Sequence, residues 1–212
     1  MKKRTRSSGE GESADHDSVR ERILDAAFML FTKRGYAATS TLDIATQAKV
    51  SKRELYARFK NKQGMLEAGV SARTRRMRTP LDLPKVTTRA ALEATLIAFG
   101  TTLIREVSHP HVIGLHRIAV AEFARAPELA ATLNEQGRQT NHRVLAGLLK
   151  EAQDSGLLGK GEPRELAAQF MGLLWGDLLT RLMLGVSERP SEREIEKRAR
   201  EATASFLKLN GA

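Results

Sequence analysis

The sequence predicts an all-α fold of about nine helices, and three observations lead there. Apolar residues recur at three- and four-residue spacing in run after run, and no stretch alternates as a half-buried strand would. The six prolines fall between these runs and never inside one, where a proline would break the hydrogen-bond ladder. Several runs open on Ser or Asn, with an acid three residues on at Ser18–Glu21, Ser40–Asp43, Ser51–Glu54 and Ser191–Glu194. The expected organisation is a polar tail over 1–17, a three-helix unit over 18–62, a connecting helix over 63–80 and a larger helical domain over 81–212.

In chain order, residues 1–17 lack periodicity and are expected to be disordered. Lys2, Lys3, Arg4 and Arg6 suit either a basic arm in a minor groove or an ordinary solvated tail. The first helix is expected from Ser18, with Val19, Ile23, Ala27, Leu30 and Phe31 as its stripe and Gly35 as its stop. Thr39 to Lys62 then holds two short helices around the turn Ala48-Lys49-Val50. Leu42, Ile44, Ala45 and Ala48 form the apolar face of the first, and Leu55 and Phe59 that of the second. Asn61 caps a fourth helix that runs towards Pro80, and Pro80 and Pro84 close the first unit.

Further helices are expected at about 87–107, 110–125, 127–155, 163–185 and 191–208. Leu92, Leu96, Phe99 and Leu103 line the first; Val112, His116, Val120 and Phe123 lie along the second. The stretch 163–185 is apolar over most of its circumference, which suits either a central bundle helix or a surface that pairs with a second copy. Asp177 and Arg181 have the spacing of an intrahelical ion pair.

The two short helices have the form of a helix-turn-helix whose second helix reads DNA. Its outward side carries Lys52, Arg53, Tyr56, Arg58 and Lys60, cations that meet phosphates and a guanidinium fork that fits guanine. Candidate contacts are Thr39, Ser40 and Thr41 at the entry, Lys49 in the turn, then Ser51, Lys52, Arg53, Tyr56 and Arg58. Lys62 would add a cation for a phosphate at the start of the next helix. Charge agrees: residues 1–80 have a net charge of +9 and the remaining 132 a net of +1. A basic part joined to a neutral part reads as a nucleic-acid module with something attached.

The run from Val19 to about Val70 resembles the DNA-binding domain of the TetR family of transcriptional regulators. The matching pieces are RERILDAAFMLFTKRGY, the Thr39–Ser40 entry, LDIATQAKVS, LYARF and the NK that follows. One position departs, because the family usually has Gly where this chain has Lys49. Residues from about Arg117 to Arg181 more weakly resemble the AefR-like C-terminal domain, through AEFARAPELA and LLWGDLLTRL. The resemblance implies a ligand-responsive regulator, foremost a repressor that a small molecule releases from a palindromic operator. It also implies that Tyr56 meets a phosphate, and that the last two long helices of each subunit form a four-helix interface. Interface candidates are Leu174, Leu178, Arg181, Leu182, Ala202 and Phe206. Candidates for an effector site, apolar or amphipathic in preference, are Phe99, Leu103, His116, Val120, Phe123, Met171 and Trp175.

Other classes fit less well. There is no Cys, which excludes disulfides and thiolate chemistry and suits a cytoplasmic protein. No HExxH, phosphate-cradling Gly loop or GxSxG occurs, so neither an enzyme nor a cofactor is expected. His109, His111 and His116 are poorly spaced for one metal. No apolar run approaches the ~20 residues of a membrane span, and the N-terminus lacks a signal-peptide core. A sequence-blind DNA-binding protein remains the rival, but it leaves the neutral helical half without a role.

Overall fold

The computed structural model describes residues 9–78 and 86–211, with side chains from Ser18 onward. Its helices are α1 Gly9–Arg34, α2 Thr41–Ala48, α3 Lys52–Arg58, α4 Lys62–Arg78, α5 Arg89–Val107 and α6 Pro110–Ala121. They continue as α7 Pro127–Thr132, a π-helical segment Leu133–Gln139, α8 Thr140–Asp154, α9 Pro163–Trp175, α10 Leu178–Leu184 and α11 Glu192–Asn210. Among the described residues the only β pairing is an isolated bridge between Leu158 and Gly211. The fold is all-α, as the sequence predicts.

Two apolar cores organise it. The smaller is built on α1 to α4, where Ile23, Phe31, Ile44, Leu55, Met65 and Leu66 are fully buried. Leu115 and Ala119 of α6, Ala126 just before α7 and Leu129 within it belong to the same core, so residues beyond position 81 complete the N-terminal unit. The larger core centres on Phe99, Phe170 and Phe206, with ring centroids 6.4 and 5.5 Å apart along that series. α4 runs between the two cores, giving Met65, Leu66 and Val70 to one and Met77 to the other. At Gly69 the α1–α4 approach is close, because an added Cβ would run into the ring of Phe28.

Several expectations need correction. α1 begins at Gly9 rather than at Ser18. The first eight residues, Pro80 and Pro84 lie outside the described residues. Leu42 is not part of the apolar face of α2 but is 60% exposed. The run 127–155 is helical but widens into a π turn, where hydroxyls take up loosened carbonyls: Thr140 donates to Glu135 at 2.8 Å and Thr74 to Gln136 at 2.9 Å.

The run 163–185 is two helices. Gly176 has φ 47° and ψ −121°, a backbone that side-chain-bearing residues rarely adopt, and it ends α9. Arg198 of α11 donates from Nη1 to the carbonyls of Leu174 and Trp175, both at 3.4 Å, and so caps the break. Arg117 does the same for α10, donating to the carbonyls of Leu182 and Met183 at 2.7 and 2.9 Å. Arg89 donates to Leu207 at the end of α11 at 3.1 Å. Three arginines beyond position 81 therefore serve helix ends.

Candidate nucleic-acid interface and effector cavity

Both short helices start on complete capping boxes. Ser40 accepts from the Asp43 amide at 3.1 Å while Asp43 accepts from the Ser40 amide at 3.0 Å. Ser51 and Glu54 repeat the pattern at 3.1 and 3.0 Å. Hydrogen bonds from Ser40, then the charge of Arg34, hold the Asp43 carboxyl below the usual carboxylate range. α2 ends in a Schellman turn: Val50 N–H reaches Ala45 O at 3.0 Å and Lys49 N–H reaches Thr46 O at 3.2 Å. Lys49 sits at φ 54° and ψ 47°, so this chain holds a lysine in the left-handed backbone that suits glycine.

Lys49→Gly is accordingly expected to raise stability by about 0.5–1 kcal/mol, as relief of left-handed strain outweighs the extra freedom of glycine when unfolded. It also removes an exposed cation beside the reader, so DNA binding should weaken at low salt. Thermal melts and salt-series titrations would check the pair of opposite effects. An unchanged or lower melting temperature would contradict the first.

The structure sorts the proposed contact residues. Thr41, Lys49, Lys52, Arg53 and Tyr56 are at least partly exposed. The Thr41 and Tyr56 hydroxyls are 3.0 Å apart, linking the first turn of α2 to the middle of α3, and the Lys52 ammonium lies 5.9 Å from the Tyr56 ring. Arg53 is exposed and has no hydrogen bond or ion pair among the described residues. Arg58 turns back on its own helix, donating to Glu54 O at 3.2 Å. The hydroxyls of Ser40 and Ser51 are engaged in their caps.

Thr39 and Lys62 are engaged within the chain itself. Thr39 is 1% exposed, and its hydroxyl donates to Gly35 O at 2.8 Å, closing the end of α1. Lys62 donates to the carbonyls of Tyr36 and Ala37 at 2.8 and 3.2 Å and lies 4.8 Å from the Tyr36 ring. Its ammonium ties the α1–α2 loop to α4. Burial, with Glu128 and Glu67 adding to it, pushes the Tyr36 phenol up to about 12.

A cavity of about 170 Å³ lies between α4, α5, α6, the π segment, α8 and α9. Of the residues proposed for an effector site, Leu103, His116, Met171 and Trp175 line it. Phe99 does not, being fully buried in the larger core. Val120, on the outside of α6, and Phe123, in the turn after it, are 68% and 67% exposed and belong to a shallow surface depression. Sequence reasoning missed Arg73, Thr74, Asn141 and His142, all of which line the cavity. Asn141 carried a signal: it is in phase with Leu145, Leu149 and Ala152, a polar residue on the buried stripe of α8.

The cavity is largely apolar with few polar groups. His116 Nδ1 bonds Val112 O at 2.8 Å. Arg73 pairs with Glu106 at 3.2 Å, and Glu106 also meets Arg76 at 3.5 Å. Burial, and then the charge of Arg138, lowers the pKa of His142 and keeps its imidazole neutral near pH 7. Among the described residues no cluster of three metal-ligating side chains occurs, and no helix is long and apolar enough to cross a membrane.

Of the residues proposed for pairing, Leu174, Leu178, Leu182, Ala202 and Phe206 are all buried within the single chain. They form the larger core, which covers more of the apolar surface than the sequence suggested. Only Arg181 is exposed, and it pairs with Asp177 at 3.9 Å.

Residues 23–69 match the family described as bacterial regulatory proteins, tetR family, and residues 94–211 match the AefR-like transcriptional repressor C-terminal domain. The chain belongs to the TetR family of transcriptional regulators. A similar TetR-type relative, the uncharacterized HTH-type transcriptional regulator YvkB of Bacillus subtilis (strain 168), is 34% identical over 89% of this chain and 95% of its own. A TetR regulator from Agrobacterium tumefaciens has a similar structure, with TM-score 0.74, 29% identity and coverage of 91% of this chain and 95% of that one. The flavonoid-responsive regulator FrrA is similar too, with TM-score 0.68, 32% identity and coverage of 91% and 97%. This TetR protein is a DNA-binding transcriptional regulator and not an enzyme.

Within it, Arg53→Ala is expected to cost about 1–3 kcal/mol on a specific site and to relax preference at one base pair per half-site. Titration against specific and random DNA checks this, and an equal loss on both would show that Arg53 does not read bases. Lys62→Ala should chiefly loosen the α1–α2 loop, lowering the melting temperature more than it changes the salt dependence of binding.

Proposed function

We propose that this protein is a homodimeric repressor which a small molecule releases from a palindromic operator. The supporting observation is that α4 serves both ends: its Asn61 cap follows the reader helix, while Arg73, Thr74 and Met77 form one wall of the cavity. A ligand in the cavity therefore acts on the helix that carries the reader. Thr74 also bonds the Gln136 carbonyl of the π segment, so the opposite wall is coupled to α4 as well.

Pairing is assigned to the outward faces of α9 and α11. Ala168, Gly172, Ser205 and Leu209 are exposed there, and Asn210 bonds Gln169 across the two helices at 2.9 Å. A dimer places two readers on two half-sites about 34 Å apart, one helical turn of DNA. Selection of binding sites from a random DNA pool is expected to return two-fold-symmetric sequences. Recovery of asymmetric or unenriched sequences would overturn the reading. An effector must also bind more weakly to the DNA-bound protein, by the same factor with which it weakens DNA binding.

A further inference from the structure

We infer that the cavity binds a neutral, single-ring molecule carrying one hydroxyl donor, a simple phenol, whose O–H is received by Oδ1 of Asn141. This deepens the repressor reading above and rests on it only for the consequence for DNA.

Three observations lead to that chemistry. Asn141 lines the cavity, is 3% exposed, and its Oδ1 is buried without a hydrogen-bond partner. Its amide orientation is set by Met77: Nδ2 donates to the thioether sulfur at 3.2 Å, and only the nitrogen has a proton to give. The unpartnered atom is therefore an acceptor, and an unsatisfied buried acceptor favours a ligand that brings a donor. Second, the size suits one ring. A dry cavity of roughly 150 Å³ in another protein holds benzene, and this one is about 170 Å³. Leu103, Val112, Met171 and Trp175 provide its apolar walls.

Third, the walls do not favour an anion. The one partly buried cation of the lining, Arg73, has its charge engaged by the Glu106 carboxylate at 3.2 Å, which it shares with the half-exposed Arg76 outside the lining. Arg138 lies exposed at the periphery. The imidazole of His142 is uncharged near neutral pH. A carboxylate would lose its hydration and face an acceptor at Asn141, which repels it. A hydroxyl loses less and gains a partner.

The test is calorimetric titration of the full-length protein with phenol, toluene, anisole and benzoate. Toluene matches the ring without a donor, anisole offers only an acceptor, and benzoate is charged. Phenol is expected to bind roughly tenfold tighter than toluene or anisole, and benzoate not to bind measurably. Asn141→Leu, checked for folding by circular dichroism, should reduce phenol to the toluene level and leave toluene unchanged or tighter. Toluene or anisole binding as well as phenol to the wild type overturns the inference without any variant. So does a phenol preference that survives Asn141→Leu. DNA titration separates the two readings. Phenol that binds with this preference yet leaves DNA affinity unchanged upholds the inference and defeats release by this cavity. Release by benzoate, with no binding of phenol, upholds the repressor and overturns the inference.

Discussion

Leu182→Arg is expected to leave little folded protein, whereas Gly172→Arg should yield a folded monomer. Leu182 is 4% exposed and sits in the larger core. Replacing it removes roughly 2–5 kcal/mol of packing and adds a charge with no buried partner, a sum that matches much of a domain's total stability. Gly172 is exposed, and a Cβ there meets nothing within 4 Å in the single chain. A guanidinium at that position disturbs only a surface that another copy would cover. Light scattering and circular dichroism on both variants decide the matter. A folded, dimeric Gly172→Arg would place the pairing surface elsewhere. A folded Leu182→Arg would contradict the core described above.

Gly69→Ala should destabilise by about 1–3 kcal/mol, although alanine normally strengthens a helix. Its Cβ would overlap Cε2 and Cζ of Phe28, and that residue is itself only 4% exposed. Either the ring turns or α1 and α4 separate. Phe28 also lines the cavity, so a displaced ring changes its volume and the affinity of anything bound there. Gly147→Ala is the internal control. It lies exposed in α8 with nothing within 4 Å of an added Cβ, so the helix preference of alanine should act alone and stabilise by about 0.5–1 kcal/mol. Thermal melts of the two variants should shift in opposite directions. Shifts of the same sign would show that the contact at Phe28 is relieved without cost.

What was legible in the sequence was local. The boxes at Ser40, Ser51 and Ser191 all form, because each is a matter of a side chain and a backbone amide three residues apart. Prolines marked the starts of α6, α7 and α9 for the same reason. The break at Gly176 was not legible, since a glycine within an apolar run reads as a tolerated helix residue until Arg198, 22 positions later, is seen to cap it. Lys62 shows the same limit. A cation at a helix start looks like a phosphate contact, but two carbonyls about 25 residues earlier in the chain claim it. The apolar surface of 163–185 is plain from the sequence, whereas the burial of Leu174, Leu178 and Leu182 within the single chain is not. Periodicity shows that a face is hidden, and leaves open which surface hides it.

Trp175 is the only tryptophan of the chain, and it forms part of the cavity wall one residue before the break at Gly176. The two tyrosines, Tyr36 and Tyr56, both lie in the N-terminal unit. Indole emission therefore comes from one place in each subunit, without a label and without a background of other indoles. Its colour reports how much water reaches the cavity wall, and a quenching molecule reports whether that wall is open or filled. In a symmetric dimer the two indoles are equivalent, so a single spectral change counts occupied sites directly.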